Sequence, residues 1–135
     1  MNPVVLQVLP SLDTGGGGAE QTAFDVAEAL TKEQTPAFVT SSGGRLAEAI
    51  QQFGAIHITL PLASKNPFII FLNVFRLKKI IKKYNINIIH ARSRAPAWSS
   101  KMAAKLISCK FLTTFHGTYS YGPGNLGKLK KYYNS

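Results

Sequence analysis

Acidic residues are absent from most of this chain. All six of them lie in the first 48 of the 135 residues, where two basic residues accompany them, whereas the rest of the chain carries fourteen lysines and arginines. The formal net charge of +10 therefore comes from the part after residue 48. A field of one sign favours phosphates, nucleic acid or an anionic membrane surface as a partner, although it also promotes solubility by itself.

Cysteine and long apolar runs are also scarce. The single cysteine, Cys109, allows no internal disulfide, which fits a reducing cytoplasm. No apolar stretch approaches the roughly 20 residues that a membrane-spanning helix needs, and no basic flank precedes the N-terminal apolar run, as a secretory signal would require. Three separated histidines and one cysteine lack the spacing of metal ligands, so no metal is expected. These absences predict one cytoplasmic globular domain.

Strand and helix patterns alternate along the chain. Strands are predicted at 4–9, 36–40, 55–60, 87–90 and 110–115, and helices at 19–32, 45–53, 67–84 and 95–108. Gly54 marks the end of the second helix, and Asn66-Pro67 marks the start of the third. Such alternation is typical of parallel strands joined by right-handed crossovers. We therefore predict an α/β fold, a Rossmann-like doubly wound parallel sheet of five or more strands in the order 3-2-1-4-5.

A glycine loop joins the first predicted strand to the first helix. It comprises Gly15, Gly16, Gly17 and Gly18, with Glu20 close behind. A strand–loop–helix unit of this kind turns backbone N–H groups and the positive helix end toward one point, which favours an anion, most often phosphate. A flexible surface loop is the alternative. The loop lacks the Gly-Lys-Ser/Thr of a P-loop and fails the dinucleotide fingerprint.

The end of the second predicted strand bears on a dinucleotide cofactor. Thr40-Ser41-Ser42 offers no acid for a ribose, which disfavours NAD. Arg45 together with Ser41 and Ser42 could still hold a 2′-phosphate, so an NADP-binding protein stays open as an alternative.

Two further loops should meet the glycine loop, because the first and fourth strands are neighbours at the switch point of such a sheet. Arg92, Ser93 and Arg94 follow the fourth strand, and alternate spacing in an extended segment would put both arginines on one side, facing phosphate or carboxylate. His116 and Gly117 follow the fifth strand. The imidazole there could act as an acid or base, or donate to a sugar hydroxyl or phosphate.

These residues also have structural interpretations. A lone histidine at a strand end usually serves packing, and loop arginines are usually solvated. We interpret His57 as structural and His90 as orienting the loop after the fourth strand.

The third predicted helix carries two different faces. One face is assigned to the core and contains Ile70, Val74, Leu77, Ile81 and Tyr84. The other joins aromatic and aliphatic residues to lysines, namely Phe68, Phe71, Leu72, Phe75, Lys78, Lys79, Lys82 and Lys83. That composition is typical of a helix lying on an anionic membrane surface. The alternative is that the aromatics pack against the sheet or another domain.

The order of motifs resembles family 4 glycosyltransferases of the GT-B type. The motifs are Leu9-Pro10 with glycines before Ala19-Glu20, Ser64-Lys65-Asn66-Pro67, Ile89-His90-Ala91-Arg92-Ser93-Arg94-Ala95-Pro96-Ala97-Trp98, and Thr113-Thr114-Phe115-His116-Gly117. The resemblance covers the whole chain and matches the N-terminal domain of such enzymes.

The resemblance implies a role for each candidate residue. Family members are retaining enzymes with two Rossmann-like domains around a cleft, the N-terminal one for the acceptor and the C-terminal one for the nucleotide-sugar donor. It implies that the glycine loop approaches the donor diphosphate and acceptor, and that His116 is the catalytic residue near the transferred sugar. Arg92, Ser93, Arg94 and Gly117 would contact the acceptor. No cofactor or metal is implied, since the nucleotide sugar is a substrate.

These observations together predict the acceptor-side half of a transferase that builds cell-envelope glycolipid or polysaccharide, such as lipopolysaccharide, at the inner membrane face. Without the donor domain the chain is expected to be inactive. One alternative is a non-catalytic truncated module or a subunit of a split transferase whose donor domain is a separate chain. Nucleic-acid binding is disfavoured, because no recognised binding motif accompanies the charge.

Overall fold

Five strands and four helices alternate along the chain in a computed structural model that describes residues 4–12, 18–92 and 94–113. The strands are β1 (Val5–Val8), β2 (Ala37–Ser41), β3 (Ile56–Thr59), β4 (Ile88–Ala91) and β5 (Lys110–Thr113). The helices are α1 (Gly18–Lys32), α2 (Arg45–Gln52), α3 (Pro67–Tyr84) and α4 (Arg94–Leu106).

The strands form one sheet in the order β3-β2-β1-β4-β5, and every neighbouring pair is parallel. The predicted doubly wound fold and its strand order are confirmed. The predicted bounds of α3 coincide with the observed ones, and the other predicted bounds within the described residues differ by at most two residues. The end of the predicted fifth strand, at residues 114 and 115, lies outside the described residues.

Successive residues of β1 point to opposite faces of the sheet. Val5 and, just beyond the strand, Leu9 belong to a core cluster that α1 and α2 cover. Leu6 and Val8 belong to a second cluster, which α3 and α4 cover. Because helices cover both faces, every β1 residue is buried, including the polar Gln7.

The two helix boundaries that Asn66-Pro67 and Gly54 mark in the sequence are confirmed. The side chain of Asn66 accepts a hydrogen bond of 2.9 Å from the backbone N–H of Phe68, and Pro67 is the first helical residue of α3. Asn85 ends α3 in the left-handed conformation, with φ of 54°. Gly54 follows α2 with φ of +105°, a conformation that favours glycine.

Most of the predicted core face of α3 is buried. Val74, Leu77 and Ile81 are buried in the cluster beneath α3 and α4, while Tyr84 and Ile70 at the two ends of this face are partly buried. This side therefore fixes α3 on the sheet and leaves the opposite side outward.

Candidate functional site

The candidate site lies where the carboxyl ends of β1 and β4 meet. These strands are hydrogen-bonded neighbours, yet the connection after β1 leads to α1 on one face, and that after β4 leads to α4 on the other. A crevice opens between two connections that diverge in this way. The switch point that the sequence predicts therefore exists, and the glycine loop and the segment after β4 both leave from it.

The chain is held firmly where it enters the glycine loop. The N–H of Leu12 donates to the carbonyl of Gly43 at 2.9 Å, and the N–H of Leu46 donates to the carbonyl of Leu12 at 2.7 Å. The carbonyl of Pro10 accepts from both the N–H and the hydroxyl of Ser42. The connection between β2 and α2 therefore holds the backbone of residues 10–12, from which the glycine loop begins, by hydrogen bonds.

The glycine loop is described only at its end. Gly15, Gly16 and Gly17 lie outside the described residues, Gly18 is the first residue of α1, and Glu20 stands in the first turn. A strand thus precedes the glycine loop and a helix follows it, as the sequence predicts.

The hydroxyls at the end of β2 serve internal contacts. Ser41 Oγ accepts the N–H of Gly43 at 3.0 Å and lies 2.7 Å from His57 Nε2. Ser42 Oγ donates to the carbonyl of Pro10. Burial lowers the pKa of His57. The NADP alternative is weakened, because both hydroxyls it invoked hold the fold together, and His57 acts here as a structural partner of Ser41.

Arg92 is buried, with 4% of its surface exposed. Its Nε donates a buried hydrogen bond of 2.9 Å to Gln7 Oε1, and Gln7 Nε2 donates one of 3.1 Å to the carbonyl of Ala23 in α1. The guanidinium is thus directed into the protein toward α1 and is tied to the central strand.

The expectation that one extended segment carries both Arg92 and Arg94 is wrong. Arg94 is the first residue of α4, so only one residue separates the helix from Arg92. That residue, Ser93, lies outside the described residues. The periodicity placed the helix start one residue too late, at 95, because proline and small residues near a helix start carry little amphipathic signal.

His90 lies next to this polar contact and is fully buried. It is paired in register with Gln7 across β1 and β4. Burial, and secondarily the positive charge of Arg92, hold the pKa of His90 well below its usual range. The imidazole is therefore neutral near pH 7, and the permanent charge at this point belongs to Arg92.

Acidification is expected to destabilise the domain through His90. The pKa of His90 is lowered in the folded state. Its contribution to the free energy of unfolding is therefore complete above the pKa of the unfolded state, near 6.5, and is lost as the pH falls below that value. The free energy of unfolding should then fall by up to about 1.4 kcal/mol per pH unit below that value. Urea unfolding between pH 7.5 and 5 measures this slope.

The matched comparison is His90→Gln against His57→Gln. The first variant should lose most of the slope and the second should keep most of it, because His57 is only partly buried. An unchanged slope in His90→Gln would refute the assignment.

Sequence reasoning missed Gln7, and a signal for it was present. A single amide in the middle of a strand that is otherwise valine and leucine must find buried hydrogen-bond partners. The other candidates after β5, His116 and Gly117, lie outside the described residues.

A second surface is formed by the outer sides of α3 and α4. These helices pack side by side, and the Ser99 hydroxyl of α4 donates to the carbonyl of Ile70 in α3 at 2.9 Å. We call their outer side the apolar–basic face; its exposed residues are Phe68, Phe71, Leu72, Phe75, Lys79, Lys82, Lys83, Trp98, Lys101, Met102, Lys105 and Leu106.

The aromatic residues of this face point outward. Phe68 is 79% exposed, and Phe71 and Phe75 contact each other edge to face with ring centroids 5.4 Å apart. The alternative in which they pack against the sheet is therefore wrong. Lys78 differs from the expectation, because it is partly buried. Trp98 of α4, 48% exposed, extends the surface beyond the helix that the sequence singled out.

Two further classes of feature are absent from the part of the chain that the structure describes. Within residues 4–12, 18–92 and 94–113, no helix is long and apolar enough to cross a membrane. The same residues contain no group of three or more His, Cys, Asp or Glu side chains that could hold a metal ion.

Comparison with known proteins links this arrangement to sugar transfer. The family model described as Glycosyltransferase Family 4 matches residues 16–135. A crystal structure of a glycosyltransferase from Rickettsia africae ESF-5 is 39% identical, with a TM-score of 0.74, over 100% of this chain and 34% of that one. This chain therefore spans about a third of the length of that protein.

Other solved structures share the fold. MurG from Acinetobacter baumannii is 15% identical with a TM-score of 0.66, over 96% of this chain and 40% of its own. The C-terminal domain of a hydrogenase from Pyrococcus furiosus is 12% identical with a TM-score of 0.58, over 84% of this chain and 94% of that domain. At such identities the likeness concerns the fold alone, which hosts many functions. No curated protein sequence matches the chain.

Proposed function

Because this chain belongs to glycosyltransferase family 4, we propose that it is the acceptor-side domain of a transferase that moves a sugar from a nucleotide sugar to a cell-envelope glycolipid or polysaccharide, with retention of configuration. The match over residues 16–135 carries the proposal. The switch-point crevice supports it, since ligands of doubly wound sheets bind at the carboxyl ends of the strands.

Four groups of residues would have separate roles at this crevice. The end of the glycine loop and the start of α1 would face the donor diphosphate, where N–H groups and the helix dipole favour negative charge. Arg92 would supply a fixed positive charge nearby, and Ser93, Arg94 and Gly117 would contact the acceptor. His116 would contact the sugar during transfer. No metal or cofactor enters the proposal.

The donor would be held largely by a second domain, in the same polypeptide or in a separate one. The matched part of the Rickettsia africae glycosyltransferase is 34% of that chain. In this sequence no acidic residue follows Glu48, so no carboxylate from the basic part could contact the hydroxyls of a donor sugar.

The apolar–basic face would rest on an anionic membrane on the cytoplasmic side, from which a lipid-linked acceptor reaches the crevice. Cations without nearby acidic residues complement acidic headgroups, and exposed aromatics suit the lipid interface. Both helices follow parallel strands, so their N-terminal ends lie at the edge of the sheet that holds the crevice, and Phe68 and Trp98 stand within the first five residues of these helices.

A chimera tests the transferase assignment. In it, this chain replaces the part of the Rickettsia africae glycosyltransferase that it matches, and radiolabelled nucleotide sugars are supplied with bacterial envelope lipids and polysaccharides. The chimera is expected to transfer label to the acceptor fraction, and the 135-residue chain alone is expected to transfer none.

The two outcomes that oppose the proposal are distinct. Transfer by the chain alone would contradict the need for a second domain. A folded chimera that transfers no sugar from any common nucleotide donor, while the parent protein does, would contradict the acceptor-side role.

A further inference from the structure

Gln7 is the polar exception in the most buried strand of the sheet. It stands in the centre of β1, with no exposed surface, between Val39 of β2 and His90 of β4 in the strand register. A buried amide without partners is costly, so its hydrogen bonds must account for its place there.

Both halves of the Gln7 amide are used, and each reaches a different part of the site. Its oxygen accepts from Arg92 Nε at 2.9 Å, and its nitrogen donates to the carbonyl of Ala23 at 3.1 Å. The partners lie 85 and 16 positions away along the chain. The orientation of the amide is fixed. In the reverse orientation its NH₂ group would face the Nε–H donor of Arg92, and its oxygen would face the carbonyl oxygen of Ala23.

The two hydrogen bonds of Gln7 link α1 to the segment after β4, which diverge at the switch point. Arg92 directly follows β4, whereas Ala23 lies in the second turn of α1, close behind the end of the glycine loop. Gln7 belongs to the rigid strand between them. A shift of α1 along the sheet, or a turn of the Arg92 side chain, would break one of the two bonds.

We propose that Gln7 is a positioning residue, which holds the guanidinium of Arg92 and the first turns of α1 in the relative placement that the phosphate groups of the donor require. The inference rests on the proposed function, since it assumes that a diphosphate meets the start of α1. The charge acts from Arg92, and Gln7 acts through Arg92 and α1 without touching the ligand.

A direct readout is the hydrogen exchange of the Arg92 side chain. In the 135-residue chain the Nε–H of Arg92 should be observable by NMR and protected from exchange, because it is buried and bonded to Gln7. In Gln7→Met, which keeps an unbranched side chain of similar length, this protection should be lost. Unchanged protection would show that Gln7 does not hold Arg92.

The functional readout uses inorganic pyrophosphate as the probe of the diphosphate site. Titration into the wild-type chain is expected to shift the amide signals of residues 18–22. Gln7→Met should weaken this binding by roughly ten-fold, because a charge-assisted hydrogen bond that fixes the cation is removed.

The matched control is Asn73→Leu. Asn73 is also a buried amide, bonded to the carbonyl of Pro61 and to the guanidinium of Arg76, but it lies in α3 under the other face of the sheet. Its replacement removes the same two kinds of hydrogen bond and should lower stability, yet leave pyrophosphate affinity within about two-fold, as expected for a distant independent site.

Each result of the titration decides one question. No shift at residues 18–22 in the wild-type chain would contradict the diphosphate site itself, and with it the donor side of the proposed function. Equal affinity of wild type and Gln7→Met would overturn only the positioning role. If Gln7→Met fails to fold, Gln7→Asn serves instead, since it keeps a neutral amide that is one methylene too short to bond both Arg92 and the carbonyl of Ala23; wild-type affinity in that variant would also overturn the role.

Discussion

Replacement of His116 by alanine is expected to lower the turnover of the chimera by about two to four orders of magnitude, the range that a positioned proton-transfer group supplies. The proposed function puts this residue beside the sugar that is transferred, where its imidazole would act as an acid or base. The loss should appear in kcat, while the KM for the acceptor changes little, because the contact strengthens in the transition state. Initial rates over a range of donor and acceptor concentrations measure the two constants.

His57→Ala is the control for this experiment. His57 lies on β3 and contacts Ser41, so its loss should lower stability but leave turnover of the folded chimera within about two-fold of the parent value. His116→Asn, which keeps a hydrogen-bond donor, should recover part of the lost rate. A chimera with His116→Ala that turns over at more than half the parent rate would refute the catalytic role.

Removal of two lysines from the apolar–basic face is expected to weaken membrane binding about 30-fold. Each cation near an anionic surface contributes about 1 kcal/mol, so Lys79→Gln with Lys82→Gln should cost about 2 kcal/mol of binding. Both side chains are exposed in α3, and neither is bonded to another residue in the described hydrogen bonds and ion pairs. Co-sedimentation of the chain with strongly anionic vesicles, which contain roughly 30% phosphatidylserine, measures the effect.

A pair of substitutions on the opposite side of the sheet provides the matched control. Lys32→Gln with Arg45→Gln lowers the net charge by the same amount but changes α1 and α2, so binding should change by less than about three-fold. Raising the salt concentration should weaken binding of the wild-type chain, because exposed charges are screened. Equal binding to neutral vesicles, or equal loss in the two double variants, would contradict a role for this face.

The fold was predictable because its local signals agree with one another. The burial of β1 on both faces appears in the sequence as an apolar run, and the cap at Asn66-Pro67 and the glycine at position 54 mark helix ends by their own chemistry. Alternation of strands and helices then leaves few arrangements of a parallel sheet.

The candidate site was predictable only in outline. The neighbours β1 and β4 were placed correctly, and with them the origin of the glycine loop. The orientation of Arg92 was not, because a local pattern says nothing of a partner 85 positions away in the chain. The contact of Arg92 with a ligand stays a prediction, and the structure adds that its Nε donates to Gln7.

The sequence by itself determined the α/β class, the strand order, the one-sided charge and the family to which the chain belongs. Those properties follow from local periodicity, composition and the order of motifs. Only the tertiary structure decided that Gln7 joins Arg92 to α1, and that Trp98 of α4 continues the exposed face of α3. Such contacts depend on which residues the packed sheet and helices bring together. The orientation of a buried amide or cation depends on the hydrogen-bond partners nearest to it in space, and the order of residues along the chain does not specify these partners.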